Sequence, residues 1–227
     1  MTAAFIFDVD GTLIDSVDLH AEAWQQTLAH FGFAIPYPEV RAQIGKGGDQ
    51  LLPVFVPADV LERLGEQIEK YRGELFKREY LPRVKPFARV RELFQRIKRD
   101  GHRIALASSA KTEEVTIYKT LANIADLVDA ETSSSDVDCS KPCPDVFEVA
   151  IDKLRVEPER AIVIGDTPYD AIAARRAGLR TIGVLCGGFA ANDLREAGCI
   201  SLYRDPAALL ERYADLESLI TPVPQTP

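Results

Sequence analysis

Residues 3–16 read AAFIFDVDGTLIDS, and the fold is decided by how this stretch ends. The run Ala3-Ala4-Phe5-Ile6-Phe7 has the length and apolarity of a buried strand. It stops at Asp8 and Asp10, followed by Gly11 and Thr12. Residues two apart in an extended chain face the same side, so two carboxylates would lie together at the carboxyl end of a central strand. Unpaired, they would repel and each pKa would rise. A divalent cation, a shared proton or basic neighbours would relieve the conflict.

Five further apolar runs continue the pattern: RIALAS (103–108), DLVDA (126–130), AIVIGD (161–166), RTIGVL (180–185) and CISLY (199–203). Amphipathic helical stretches alternate with them, which predicts an α/β fold with a Rossmann-like, doubly wound parallel sheet. Ligands of such sheets gather outside the carboxyl ends of the strands. Residues 16–85 interrupt the alternation. Residues 16–33 carry Val17, Ala21, Trp24 and Leu28 at helical spacing, with Gly32 at the end. Residues 59–81 carry a second stripe, Val60, Leu64, Ile68, Tyr71 and Leu75. The glycine-rich stretch IGKGGDQLLPVFV (44–56) lies between them, and LPRVKPF (81–87) returns to the core. The expectation is a discontinuous core, 1–15 and 86–227, with a small α-helical cap inserted over 16–85 and placed as a lid would be. The proline-rich tail, 221–227, is expected to be disordered.

Composition narrows the function. The chain has 227 residues, 46% of them hydrophobic, and a net charge of -8. The acidic balance argues against nucleic acid and anionic membrane as partners. No apolar stretch approaches the ~18 residues needed to span a bilayer. With no signal peptide legible at the N-terminus, the expected location is cytoplasmic. Cys139, Cys143, Cys186 and Cys199 match neither a zinc pattern nor a disulfide framework, so they are expected to be reduced thiols filling the core.

Three more motifs carry chemistry. In AIVIGDTPYDAIAARRAG (161–178), Asp166 ends a strand as Asp8 does, and Asp170 stands one turn into the next helix. Hard oxygen ligands converging from separate loops suit Mg²⁺. In IALASSA (104–110), Ser108 and Ser109 sit between a strand and a helix N-terminus, an arrangement suited to an anion. In CSKPCPDVFEVAI (139–151), Lys141 precedes a proline and is held out of the following helix.

The order DxDGT, strand-terminal serine, Lys-Pro, GDxxxD resembles the haloacid dehalogenase superfamily, over the whole chain apart from the tail. The insertion resembles the helical cap of the subfamily containing phosphoglycolate phosphatases and β-phosphoglucomutases. The resemblance implies a Mg²⁺-dependent phosphatase acting on a small phosphorylated metabolite. Asp8 would be the nucleophile that forms an aspartyl-phosphate, and Asp10 the acid and base. Mg²⁺ would be held by Asp8, the Asp10 carbonyl and Asp166, with Asp170 in support. Ser108 and Lys141 would hold the phosphoryl group. His20 stands where the mutase has a hinge histidine. The mutase arginine after the glycine loop has no counterpart, Lys46 being the cation nearest that point and also the positional match to the phosphonatase lysine. A monomer is expected, with a dimer as the alternative.

Overall fold

The computed structural model describes residues 2–220, so the proline-rich tail lies outside the described residues. Six strands form the main sheet: β1 (Ala4–Phe7), β4 (Arg103–Ala107), β5 (Ala130–Thr132), β6 (Ala161–Gly165), β7 (Arg180–Val184) and β8 (Cys199–Tyr203). Their order is β5-β4-β1-β6-β7-β8, and all neighbours run parallel. The chain therefore winds outward in one direction from β1, then returns and winds in the other. The reversal falls at β1, whose Phe7 pairs with Leu106 on one side and Ile164 on the other. This is the switch point where a doubly wound sheet opens a crevice. Asp8 is the next residue, and its N–H still reaches Ile164 O at 2.8 Å.

All four residues of β1 are buried, as expected of a strand covered on both faces. Alternate side chains feed two apolar clusters. Phe5 and Phe7 pack with Leu93, Phe94 and Ile104 on one face. Ala4 and Ile6 pack with Val146, Phe147 and Ala173 on the other. The helices responsible are α5 (Val90–Arg99), α7 (Asp145–Leu154) and α8 (Pro168–Arg176), with α6 (Thr112–Leu121) following β4.

The segment between β1 and α5 is helical: α1 (Val17–His30), α2 (Tyr37–Arg41), α3 (Gly48–Phe55) and α4 (Ala58–Leu75). It has an apolar cluster of its own, in which Trp24, Leu28, Leu51 and Ile68 meet. Helix α4 does not stop at Leu75 but runs on through a π-helical turn, Phe76–Tyr80, and a 3₁₀ turn, Leu81–Arg83.

Two local expectations need correction. The third core strand is Ala130–Thr132, not 126–130, because Asp129 is spent on the turn: its carboxylate accepts from Ile104 N and from Lys98. The points of departure and return are not plain linkers. β2 (Ile14–Asp15) and β3 (Lys85–Pro86) pair antiparallel and clasp the two connections together. Among the described residues no helix is long and apolar enough to cross a membrane.

Candidate active site

Past β1 the chain turns sharply. Thr12, Leu13 and Ile14 N–H groups all point at Val9 O, and Gly11 takes φ +84°, a conformation that favours glycine. The turn sends Asp8 and Asp10 into different surroundings, although they are two residues apart.

Asp8 is buried beside two other carboxylates. One oxygen each from Asp8, Asp166 and Asp170 lie within 4.8 Å of one another. Lys141 answers them from the loop before α7. Its ammonium group, wholly buried, donates to Asp8 Oδ1 at 2.5 Å and to Ala107 O at 2.7 Å, and stands 2.8 Å from Asp170 Oδ1. Thr12 Oγ1 lies 3.0 Å from Asp166 Oδ1 and 3.2 Å from Asp8 Oδ2. Asp170 does double duty. Its other oxygen accepts from Thr167 N and Oγ1, completing a capping box at the start of α8.

One cation does not balance three carboxylates. Burial pushes the Asp8 carboxyl up to about 7; Lys141 opposes the rise and Asp170 adds to it. Burial, then Asp8 and Asp170, hold Asp166 well above the usual carboxylate range. For Lys141 burial works against the charge, but Asp170 and Asp8 outweigh it and raise the pKa. Among the described residues Asp166 Oδ2 has no hydrogen-bond partner. Space there is kept by a missing side chain, since a Cβ on Gly187 would stand 1.7 Å from that oxygen. An orphaned carboxylate oxygen in a cluster of buried acids fits a hard divalent cation.

Asp10 lies outside this cluster. Its Oδ1 accepts from Ser16 Oγ at 2.5 Å and from His20 Nε2 at 2.8 Å. Burial would raise its pKa, but His20, Ser16 and Arg72 together hold it below the ordinary value. For Asp10 the expected conflict of like charges is relieved by basic neighbours, one of the three arrangements that could relieve it, because its partners are donors rather than acids.

His20 is buried, stacked on Phe76 with ring centroids 4.1 Å apart. Its Nδ1 faces Arg72 Nη2. A guanidinium can only donate, so Nδ1 accepts and the ring hydrogen on Nε2 is directed to Asp10. Tyr118 OH lies 3.2 Å from the same nitrogen. Arg72 also reaches Glu114 at 3.5 Å and lies over the rings of Phe76 and Trp24.

A cavity between the helical segment and the sheet mouth joins these groups. Asp8, Asp10, His20, Lys46, Arg72 and Ser109 are among its lining residues. Ser109 Oγ donates to Gly45 O at 3.4 Å, a contact from sheet mouth to glycine loop. Ser108 is buried, and its Oγ accepts from Ala110 N at 3.0 Å. Lys46 donates to Gln43 Oε1 at 2.5 Å and lies 4.8 Å from the Tyr169 ring centroid, with its pKa lowered by burial. Every residue singled out in the sequence thus stands in or beside one site. Arg72 and Glu114 were not anticipated. Arg72 was detectable as a charge inside an apolar stripe, four residues from both Ile68 and Phe76. Glu114 gives no such signal.

The cysteine expectation is corrected in part. Cys139 and Cys143 form a disulfide, because the loop brings their Cα atoms within 5.8 Å, inside bridging range. Cys186 and Cys199 are free.

The sequence from Phe5 to Val184 matches the family model of the haloacid dehalogenase-like hydrolases. The chain belongs to that family. It is therefore an enzyme of the hydrolase class on an α/β core. It is 29% identical over 215 residues to a Pyrophosphatase PpaX of Bacillus velezensis, covering 94% of each chain. It is 29% identical over 187 residues to a Phosphoglycolate phosphatase of Aquifex aeolicus, covering 80% of this chain and 84% of that one. In three dimensions it superposes on a hydrolase from Pseudomonas syringae with a TM-score of 0.86 at 26% identity, over 95% of this chain and 99% of the other.

Proposed function

We propose that this haloacid dehalogenase-like hydrolase is a Mg²⁺-dependent phosphatase acting on a small phosphorylated metabolite, of phosphoglycolate or sugar phosphate type, through an aspartyl-phosphate. The observation that carries this reading is the Asp8 carboxylate at the switch point, bonded to Lys141 and facing a cavity roofed by helices. Asp8, the Asp10 carbonyl, Asp166 and Asp170 would hold the cation. When bound, it would neutralise phosphoryl charge and favour the ionised form of Asp8.

In the first half of the reaction an Asp8 oxygen attacks phosphorus, the ester P–O bond breaks, and Asp10 gives its proton to the departing oxygen. In the second half Asp10 takes a proton from water, the resulting hydroxide attacks phosphorus, and inorganic phosphate leaves with Asp8 restored. Lys141 keeps Asp8 oriented and offsets charge, while Ser108, Ser109 and the N–H groups at that strand end hold the phosphoryl oxygens. The helical segment, residues 16–85, acts as the cap that excludes water and selects substrate through Lys46, His20 and Arg72. A phosphomutase would use the same site with a sugar phosphate replacing water. Arg72 favours that second reading, as a cap-borne cation able to meet a second phosphate.

The test is phosphate release from a panel of phosphorylated metabolites with and without Mg²⁺, with glucose 1-phosphate isomerisation followed alongside. Asp8→Asn should abolish turnover while the protein stays folded. Activity above a tenth of wild type would sink the assignment of Asp8 as nucleophile.

A further inference from the structure

The loop that delivers Lys141 carries a feature that phosphoryl transfer does not require. The disulfide joins Cys139 to Cys143, one on either side of Lys141 and Pro142. The same loop is where the core meets the glycine loop and α3 of the cap. Ser140 N donates to Asp49 Oδ2 at 3.0 Å, and Gln50 Nε2 donates to Cys139 Sγ at 3.3 Å. Gly47 packs so closely that a Cβ there would stand 2.2 Å from Ser140 Oγ. One short loop therefore holds the buried ammonium group, the bridge and a seam of cap contacts.

A ring this small removes little entropy from the unfolded chain, so the bridge is a weak global staple. Its effect is local, on the backbone of Ser140, Lys141 and Pro142. Both cysteines are partly buried rather than sealed in the core, as a site open to a small thiol requires. The thiol of Cys199, by contrast, is pushed up to about 12 by burial and then by Asp170, so it is a poor nucleophile.

We infer that Cys139–Cys143 is a reversible thiol–disulfide exchange site that sets the position of Lys141 and the seating of the cap. The part of this inference that concerns activity rests on the phosphatase reading above. A thiolate of a dithiol reductant attacks one sulfur, the S–S bond breaks, and a mixed disulfide forms. The reductant's second thiol then displaces the remaining cysteine. Two electrons and two protons pass to the protein, which ends with two thiols, and the reductant ends as a disulfide. Once unbonded, the sulfurs retreat to non-bonded contact. Cys139 Sγ then leaves Gln50, Ser140 shifts against Asp49, and Lys141 loses the fixed backbone that aims it at Asp8. A displacement of about 1 Å in a catalytic group costs on the order of 100-fold in rate, so a fall of about tenfold or more is expected on reduction.

The test compares the full chain oxidised with glutathione disulfide and reduced with dithiothreitol, both with Mg²⁺. It measures kcat/KM on p-nitrophenyl phosphate and amide hydrogen exchange across residues 137–145 and 46–52. The oxidised protein should be lighter by two hydrogen masses. Reduction should lower kcat/KM about tenfold, speed exchange in both segments, and be undone by reoxidation. The double variant Cys139→Ser/Cys143→Ser should behave as reduced protein and ignore the reductant. Equal kcat/KM and exchange in the two states overturns the inference, as does an oxidised mass with no bridge or a double variant that still responds. Failure to turn over p-nitrophenyl phosphate in either state counts against the phosphatase reading, and the exchange data then decide the redox inference alone.

Discussion

Removing the charge at Asp8 should stabilise the metal-free protein while it ends turnover. The carboxyl is pushed up to about 7 from an ordinary value of 3.8. A folded-state pKa above the unfolded one means that the folded chain binds the extra proton between those values. Stability is therefore greatest at low pH and falls as pH rises toward 7. At about 1.4 kcal/mol per tenfold in proton affinity, ionised Asp8 costs the fold about 4 kcal/mol at pH 8. The same arithmetic leaves about 1–2 kcal/mol at pH 5, where the folded form keeps the proton. That cost is already net of the attraction to Lys141; Asp8→Asn removes it, less what the amide loses in fit, so a net gain of about 2–4 kcal/mol is expected at pH 8. For a chain of this size that is a rise of roughly 5–10 °C in melting temperature.

The assay is thermal unfolding of both proteins in EDTA at pH 5 and pH 8, repeated with Mg²⁺. The variant should melt higher at pH 8, and the gap should narrow at pH 5. Mg²⁺ should raise the wild type more than the variant, since the cation relieves in one what substitution has relieved in the other. A variant that melts at or below wild type in EDTA at pH 8 would refute the reasoning, as would a gap independent of pH.

Asp10→Asn should keep Mg²⁺ affinity by calorimetry yet lose turnover; a large loss of affinity would mean that its side chain coordinates. Arg72→Ala removes the partner of His20 and Glu114, and kcat/KM should fall by about 10–100-fold with little change in melting temperature. A value within twofold of wild type would leave Arg72 without a part in the site. Lys46→Ala should change the ranking of substrates in a metabolite panel more than the chemistry. Equal loss on every substrate at unchanged KM would contradict that.

Much of this was legible in the chain because the decisive signals are local. A fully buried strand must be apolar throughout, so β1 and β6 announce themselves, and a charge at the end of such a run is conspicuous. Asp8 and Asp166 were found that way. A site outside the carboxyl ends of the strands follows from the alternation of strands and helices, whereas the reversal at β1 comes only from the sheet order. What stayed hidden depends on contacts across long spans of sequence. Arg72 on α4 meets Glu114 on α6 across 42 residues of sequence, and no local pattern encodes that meeting. Asp129 gave up a place in the third strand to Lys98 and the Ile104 N–H, a tertiary bond overriding an apolar run. The disulfide was missed because four-residue spacing is uninformative until a turn, closed by Cys143 N to Ser140 O at 3.0 Å, folds the chain back.

The contrast between Asp8 and Asp10 follows from where their partners come from. Asp8 is surrounded by core groups: Asp166, Asp170, Lys141 and Thr12 all belong to the sheet mouth. Its raised pKa is a property of the core and asks for a cation there. Asp10 is held down by Ser16, His20 and Arg72, of which His20 lies on α1 and Arg72 on α4. Those helices belong to the inserted segment. With them in place Asp10 is ionised, the form that accepts a proton from water. Donating to a leaving group requires the opposite form, and only a loss of those contacts would let the pKa climb under the remaining effect of burial. The charge state of Asp10 is thus tied to side chains carried by the helices above it, whereas the charged partners of Asp8 all come from the core. Two carboxylates from one short strand end answer to different parts of the molecule, and two distinct roles in one reaction require that independence.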